Sequence, residues 1–394
     1  MIVSKSLNIV LVLIEPPLPF GNAASRWFYV LIKELNARGH KLRTLVACSK
    51  EEEIDKTREI FSVDEHDIRF YLFPRNRTLR DRIKSVLYPH SFKFSEQMKI
   101  DLQSELAKGF DILHIEQLWA GWLGLDFPMK ALINVHHLQS IDLERTWPKS
   151  AKEWWNFQQI FLTEKRLVRK YQYIRSCSPR LIEKMNRWNK QALIKTVPVG
   201  IDSSLYEFIA EDKRVDSKTI SLIGNMGWYP GQSAAFRMLD KLWPEIKVRV
   251  PEAKLNIVGW SARSVLKKYL NLPDVQIYEN VPQIKPYFEM TNVMLYAPSR
   301  GSGMKIKILE AMGFGIPIVT TSEGCEGLPA EDGVHMGICE DDSGLIQRTV
   351  ALLNDIGLQN QMRTNARKLL EGHCGPTVTV DQIEEIYESM LNAK

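Results

Sequence analysis

Between residues 301 and 328 the chain reads GSGMKIKILEAMGFGIPIVTTSEGCEGL, and residue types able to do chemistry crowd together there. Gly301, Ser302 and Gly303 make a loop of small residues that opens an expected helix. Lys305 and Lys307 follow, and Glu310 stands two turns in, ahead of a Gly-Pro break and a β-branched strand. Backbone N–H groups at a helix start, ammonium groups beside them and glycines that admit close approach suit a phosphorylated ligand. Residues i and i+2 of a helix diverge by about 200°, so the two lysines cannot share one helical face, and Lys305 is expected in the loop.

Strands and helices must hold these groups in place. In the N-terminal half, Ile9–Ile14 reads as a buried strand; although it follows Lys5 and could imitate a signal-peptide core, it is short and ends at Glu15-Pro16-Pro17. A Pro/Gly loop over 16–22 leads to a helix near Ala24–Arg38 stopped by Gly39, and Leu42–Cys48, Asp111–Glu116 and Lys130–Val135 are further short apolar runs. A second alternating set starts near residue 218. It comprises Thr219–Ile223, a glycine-rich loop at 224–231, Lys254–Val258, Val275–Tyr278, Val293–Ala297 and Ile316–Thr320, with a final helix over about Thr377–Leu391. Such alternation indicates an α/β chain of doubly wound parallel sheets, whose ligands bind at the carboxyl ends of the strands. The 394 residues exceed the roughly 250–300 at which single cores stop growing. Two Rossmann-like domains are therefore expected, over 1–199 and 200–375, with the terminal helix of 376–394 packing back on the first.

Composition narrows the chemistry. With 44% hydrophobic and 25% charged residues the chain is ordinary for a globular protein, and a net charge of +5 favours an anionic substrate or membrane surface without implying nucleic acid. The five cysteines are scattered and form no Cys-x-x-Cys pair, so neither a metal site nor a disulfide framework is expected and a cytoplasmic setting fits. No apolar run approaches the ~20 residues of a membrane-spanning helix. Within 75–99, Arg75, Arg77, Arg80, Arg82, Lys84, Lys93 and Lys99 face only Asp81 and Glu96, interleaved with Leu79, Ile83, Leu87, Tyr88, Phe92 and Phe94. That mixture suits peripheral contact with the inner face of a membrane or a polyanionic acceptor, and equally a solvated helix whose apolar side packs on the sheet. Asp-x-Asp, Walker and Gly-x-Gly-x-x-Gly patterns are absent in a metal, ATP or NAD context, so no cofactor is expected.

Several motifs occur in a telling order: Arg26 after the Pro/Gly loop, HIEQL at 114–118, VHHLQS at 135–140, VPVGID at 197–202, IGNMGWYP at 223–230, and the segment 301–328. Together they resemble glycosyltransferase family 4, the retaining sugar-nucleotide transferases of GT-B fold, over nearly the whole chain. The resemblance implies roles residue by residue. The family carries two glutamates eight apart, the first on donor-sugar hydroxyls and the second on the nucleotide ribose. Glu310 fits the second position, where a carboxylate can accept two hydroxyl donors. Ser302 stands at the first, so the sugar contact falls to Ser302 with the Gly303 and Met304 amides. Gly224 and Asn225 belong to the donor loop, which lacks the family's usual basic residue; the diphosphate is left to Lys305 and Lys307, with Lys307 favoured. His136, beside His137 at a strand end, matches the family histidine next to the donor sugar. Gly21, Asn22, Arg26, Glu116 and Gln117 fall on the acceptor side; Arg26 could meet phosphate or acceptor, a surface role being equally compatible.

The resemblance therefore implies a retaining transferase that moves a hexosyl group from a UDP or GDP sugar to a hydroxyl of a glycan, lipid or small molecule. Its leaving phosphate would deprotonate the acceptor, and catalysis would rest on positioning and charge stabilisation. Two alternatives stay open: a GT-B partner subunit that has lost activity, suggested by Ser302, and a nucleotide-sugar epimerase of the same fold.

Overall fold

The computed structural model describes residues 6–62, 66–74, 78–144, 150–214 and 217–393. Arg75 and Arg77 of the basic segment lie outside these, as do the side chains of Arg80 and Arg82. The chain divides into two compact units, one of 1–201 with 376–394 and the other of 202–375.

The first unit runs β1 (Asn8–Leu13), α1 (Ala23–Ala37), β2 (Lys41–Cys48), α2 (Glu51–Ile60), β3 (Asp67–Leu72), α3 (Leu79–Leu87), α4 (Glu96–Ala107), β4 (Ile112–Glu116), β5 (Ala131–Val135), α5 (Gln139–Glu144), α6 (Ala151–Lys170), β6 (Tyr173–Ser176), α7 (Pro179–Trp188) and β7 (Leu193–Thr196). Its seven strands pair in parallel in the order β3-β2-β1-β4-β5-β6-β7. Parallel strands covered on both faces read as continuous apolar runs, which is why β1 is buried from Ile9 onward and β5 throughout. Val10, Val12, Ile115, Ile133 and Leu167 belong to the core of this unit. Asn22 caps α1, its side chain accepting the Ser25 N–H at 3.0 Å, so the Pro/Gly loop delivers the chain into the helix at a fixed point.

The second unit runs β8 (Thr219–Ile223), α8 (Tyr229–Arg237), α9 (Trp243–Arg249), β9 (Lys254–Gly259), α10 (Ala262–Val265), β10 (Val275–Glu279), α11 (Lys285–Glu289), β11 (Val293–Tyr296), α12 (Ile306–Phe314), β12 (Ile318–Thr320), β13 (Gly337–Ile338), α13 (Asp342–Asn354) and α14 (Ile356–Cys374). Its parallel strands lie in the order β10-β9-β8-β11-β12-β13. The last helix, α15 (Pro376–Asn392), returns to the first unit and packs on α1. There Arg38 pairs with Asp381 and Glu384, and His40 Nε2 sits 2.7 Å from Glu384.

In each sheet the strand order reverses once, between β1 and β4 and between β8 and β11. Loops leaving the carboxyl ends of the two strands at such a reversal diverge and leave a crevice. The loop at 224–228 and the loop at 297–305 flank that point in the second unit. On α3, Leu79, Ile83, Val86 and Leu87 are exposed, Leu79 by 74%. The apolar side of this helix is therefore not packed on the sheet, one of the two readings the sequence allows. No helix among the described residues is long and apolar enough to cross a membrane.

Candidate functional site

In the second unit, α12 starts at Ile306 with Lys305 as its N-cap residue, so Lys305 lies outside the helix and Lys307 in its first turn. The two side chains part company. Lys305 Nζ donates to the Gly303 carbonyl and lies 3.7 Å from the Glu326 carboxylate. Lys307 crosses the strand reversal to the loop after β8, where its ammonium sits 4.3 Å from the centroid of the Tyr296 ring at the end of β11. A Cβ added to Gly224 would come within 2.3 Å of Lys307 Nζ. That glycine is therefore the opening through which the lysine reaches the loop. The loop at 224–231 carries no basic residue of its own, and Lys307 brings one to it from α12.

Burial pushes the Lys307 ammonium down to about 8, the nearby charge of Lys305 adds to the shift, and Glu310 opposes it. Glu310 is buried just over one turn into α12, closer to the helix start than the two turns expected from sequence. Ser302 is buried, and Gly303 has φ +74°, a left-handed conformation that an L side chain would strain. Met304 is half-buried beside them. Asn225 spends its side-chain oxygen on the Gly227 N–H at 2.9 Å, bracing the loop. A cation that the sequence reading missed joins this group. Arg300 is buried directly before the glycine loop, and its guanidinium stacks 3.4 Å from the Tyr229 ring centroid at the start of α8. An arginine adjoining Gly-Ser-Gly was the available signal.

In the first unit, a polar row crosses the sheet beneath α1 and α15. Glu116 on β4, Asn134 on β5 and Arg175 on β6 are register partners across three strands, and all are buried. Glu116 Oε2 lies 2.9 Å from His136 Nε2 and accepts from Asn134 Nδ2, while Glu116 Oε1 lies 3.0 Å from His114 Nε2. Arg175 stacks on Trp27 of α1 at 4.3 Å. Burial opposes a charge on Glu116, but the hydrogen bonds and charges of His114 and His136 outweigh it and hold the carboxyl well below the usual range.

The acceptor-side expectation for Glu116 is corrected here: its side chain has no exposure and cannot line a surface. It serves His136, whose imidazole keeps 16% exposure just past the end of β5. Gln117, next in the chain, takes φ +83°, a strained setting at a strand's carboxyl end. Gly21 and Asn22 are exposed and Arg26 half-buried, Arg26 in the first turn of α1. His114, Asn134, Arg175 and Tyr387 of α15, whose hydroxyl lies 2.6 Å from His114 Nδ1, were missed by the sequence reading. No cluster of His, Cys, Asp and Glu able to hold a metal occurs among the described residues.

Comparison with known proteins bears on the second unit and on the fold. Residues 217–355, the stretch that holds Gly224, Lys307 and Glu310, match the family described as glycosyl transferases group 1. An uncharacterized glycosyltransferase of Haemophilus influenzae is 27% identical over 169 residues, covering 41% of this chain. The match spans about half the length of that curated relative, 46%. Among solved structures, a sucrose-phosphate synthase from Thermosynechococcus elongatus aligns with a TM-score of 0.72 at 15% identity, over 98% of this chain and 100% of its own. The Anabaena HepE protein, solved with UDP and glucose, aligns with a TM-score of 0.69 at 14% identity, over 97% of this chain and 100% of its own. Two parallel Rossmann-like sheets give this chain the GT-B fold of these solved structures, and the stretch over 217–355 resembles the glycosyl transferases of group 1.

Proposed function

We propose that the protein moves a hexosyl group from a UDP or GDP sugar to a hydroxyl of a glycan, lipid or small molecule, with retention at the anomeric carbon. The observation that carries this reading is Lys307, an ammonium with no carboxylate within 4 Å among the described residues, delivered under Gly224 at the strand reversal. On this reading Lys307 takes charge from the departing diphosphate, Glu310 accepts the ribose hydroxyls, and Ser302 with the Gly303 and Met304 amides meets the sugar. The second unit, near the expected 200–375, binds the donor, and the first binds the acceptor. His136, oriented by Glu116, acts at the reacting end of the sugar, with Gly21, Asn22 and Arg26 toward the acceptor. Solved relatives support a sugar-nucleotide ligand, since HepE was crystallised with UDP-glucose as well as with UDP. The exposed apolar face of α3, which also carries Lys84, supports contact with an anionic membrane surface where a lipid acceptor would lie.

Titration calorimetry with UDP and GDP tests the donor side. Binding of one of them, weakened in Lys307→Met and Glu310→Ala, is expected. Failure to bind either would favour a partner subunit that has lost activity.

A further inference from the structure

Arg300 is only 5% exposed, its Nε has no hydrogen-bond partner, and its guanidinium forms no ion pair among the described residues. What holds it is the ring of Tyr229, the first residue of α8, whose centroid lies 3.4 Å away. Both of its neighbours in the chain are fastened to the same helix. The Ser299 N–H donates to Ser233 Oγ at 3.3 Å, and a Cβ added to Gly301 would stand 2.9 Å from the Pro230 side chain. The loop after β11 therefore lies along the first turns of α8, with the arginine clamped at the helix start. Burying a guanidinium without an acceptor costs free energy that a cation–π contact offsets only in part. The start of α8 adds to the deficit of negative charge. Its N-cap residue, Trp228, makes no side-chain cap, so helix amides and the helix dipole face the same place. At the other end of the loop 224–229, Lys307 brings its ammonium beneath Gly224, whereas Lys305 already pairs with Glu326. The loop thus has a cation without a carboxylate partner at each end, and a nucleotide sugar carries a negative charge on each phosphate of its diphosphate.

We propose that Arg300 is a diphosphate-binding residue of the donor site, its guanidinium donating to phosphate oxygens of the nucleotide from the start of α8. The proposal rests on the donor role proposed above for the second unit. A guanidinium stacked on one face keeps its edge N–H groups for donation in its own plane, a geometry that two oxygens of a phosphate match. Because Tyr229 and the anchored loop hold the side chain before the ligand arrives, little rotamer freedom is lost on binding. The arginine recognises phosphate and not the base or the ribose, so its contribution disappears when the ligand carries no phosphate.

The test compares the wild type with Arg300→Met and Arg300→Lys in the full chain. UDP and GDP are the probes, with uridine and guanosine as their phosphate-free counterparts; calorimetry reads the diphosphates and ligand-observed NMR the nucleosides. Arg300→Met is expected to weaken the diphosphate that binds by about 10- to 100-fold and to change the affinity of its nucleoside by less than about twofold. Arg300→Lys keeps the charge without the planar fork and should fall between the two. Melting curves separate ligand binding from packing. Removing an uncompensated buried cation should leave the melting temperature of the unliganded protein unchanged or raised, while the rise produced by a fixed concentration of UDP or GDP shrinks. Should Arg300→Met fail to fold, Arg300→Lys carries the same comparison. Unchanged diphosphate affinity would overturn the proposal, as would an equal loss for the nucleoside, which would put the arginine on the base or ribose. A lowered melting temperature with unaltered binding would make Arg300 a packing residue only. A wild type that binds neither diphosphate takes down the donor reading and this proposal together, whereas wild-type binding that survives Arg300→Met refutes this proposal alone.

Discussion

On the proposed function, Lys307 would make nucleotide binding a proton-linked event. Its ammonium is pushed from the ordinary 10.5 to about 8 in the unliganded protein, mainly by burial and then by Lys305. A bound diphosphate supplies the missing negative charge and returns the group toward its unperturbed range near 10.4. The sign follows directly. Below about pH 8 the lysine is already charged and binding takes up almost no proton. Above it, the free protein must first be protonated, so affinity falls. From linkage, UDP or GDP should bind about tenfold more weakly at pH 9 than at pH 7, with uptake of about 0.9 proton at pH 9 and about 0.1 at pH 7. Calorimetry in buffers of differing ionisation enthalpy measures both quantities. The Lys307→Met protein should bind weakly with a flat profile across that window. A wild-type affinity that does not change from pH 7 to 9, or that changes equally in Lys307→Met, would refute the assignment.

Four further outcomes are expected. Gly224→Ala should weaken nucleotide binding while costing little stability. The new methyl meets the flexible end of Lys307 rather than backbone, and calorimetry with a melting curve separates the two effects. Lys307→Met should raise the melting temperature of the unliganded protein at pH 7. The unfolded chain binds more protons between pH 8 and 10.5, so the charged lysine destabilises the fold in full below pH 8, by at most about 3 kcal/mol. The gain should shrink as pH rises through that interval. Glu310→Ala should weaken nucleotide binding by roughly 10- to 100-fold, the scale of hydrogen bonds to a carboxylate, and unchanged affinity would end its ribose role. Flotation with vesicles rich in anionic lipid should recover the protein, and Ile83→Asp with Leu87→Asp should abolish this; equal recovery on neutral vesicles would contradict a charge-assisted contact.

The strands that carry the sites were legible because they are buried runs of apolar residues. Thr219–Ile223 is found within the residues read from sequence, and β1, β4, β5 and β11 lie within a residue or so of theirs. Four strands were not anticipated. β3 alternates charge with apolar residues through Asp67 and Arg69, and β7 is a half-exposed edge strand of four residues. β6 carries the buried Arg175 in its middle, and β13 has only two residues. In the site, spacing alone separated Lys305 from Lys307, because two positions on a helix cannot point the same way. Spacing could not show that Lys307 reaches Gly224, 83 residues earlier, since that contact exists only after β8 and β11 pair. The Glu116 row shows the same limit more sharply. An isolated Glu in a strand reads as a surface residue. Its burial is tolerable only because Asn134, His136 and Arg175 come from β5, the residue after it and β6 to join His114 of its own strand, and no local pattern announces them.

Acceptor-dependent release of UDP or GDP from a panel of sugar nucleotides measures sugar transfer from a nucleotide diphosphate donor itself. Release from at least one donor is expected, raised by an acceptor bearing a free hydroxyl and lost in Lys307→Met. No release from any UDP or GDP sugar with any such acceptor, or release undiminished in Lys307→Met, would contradict it.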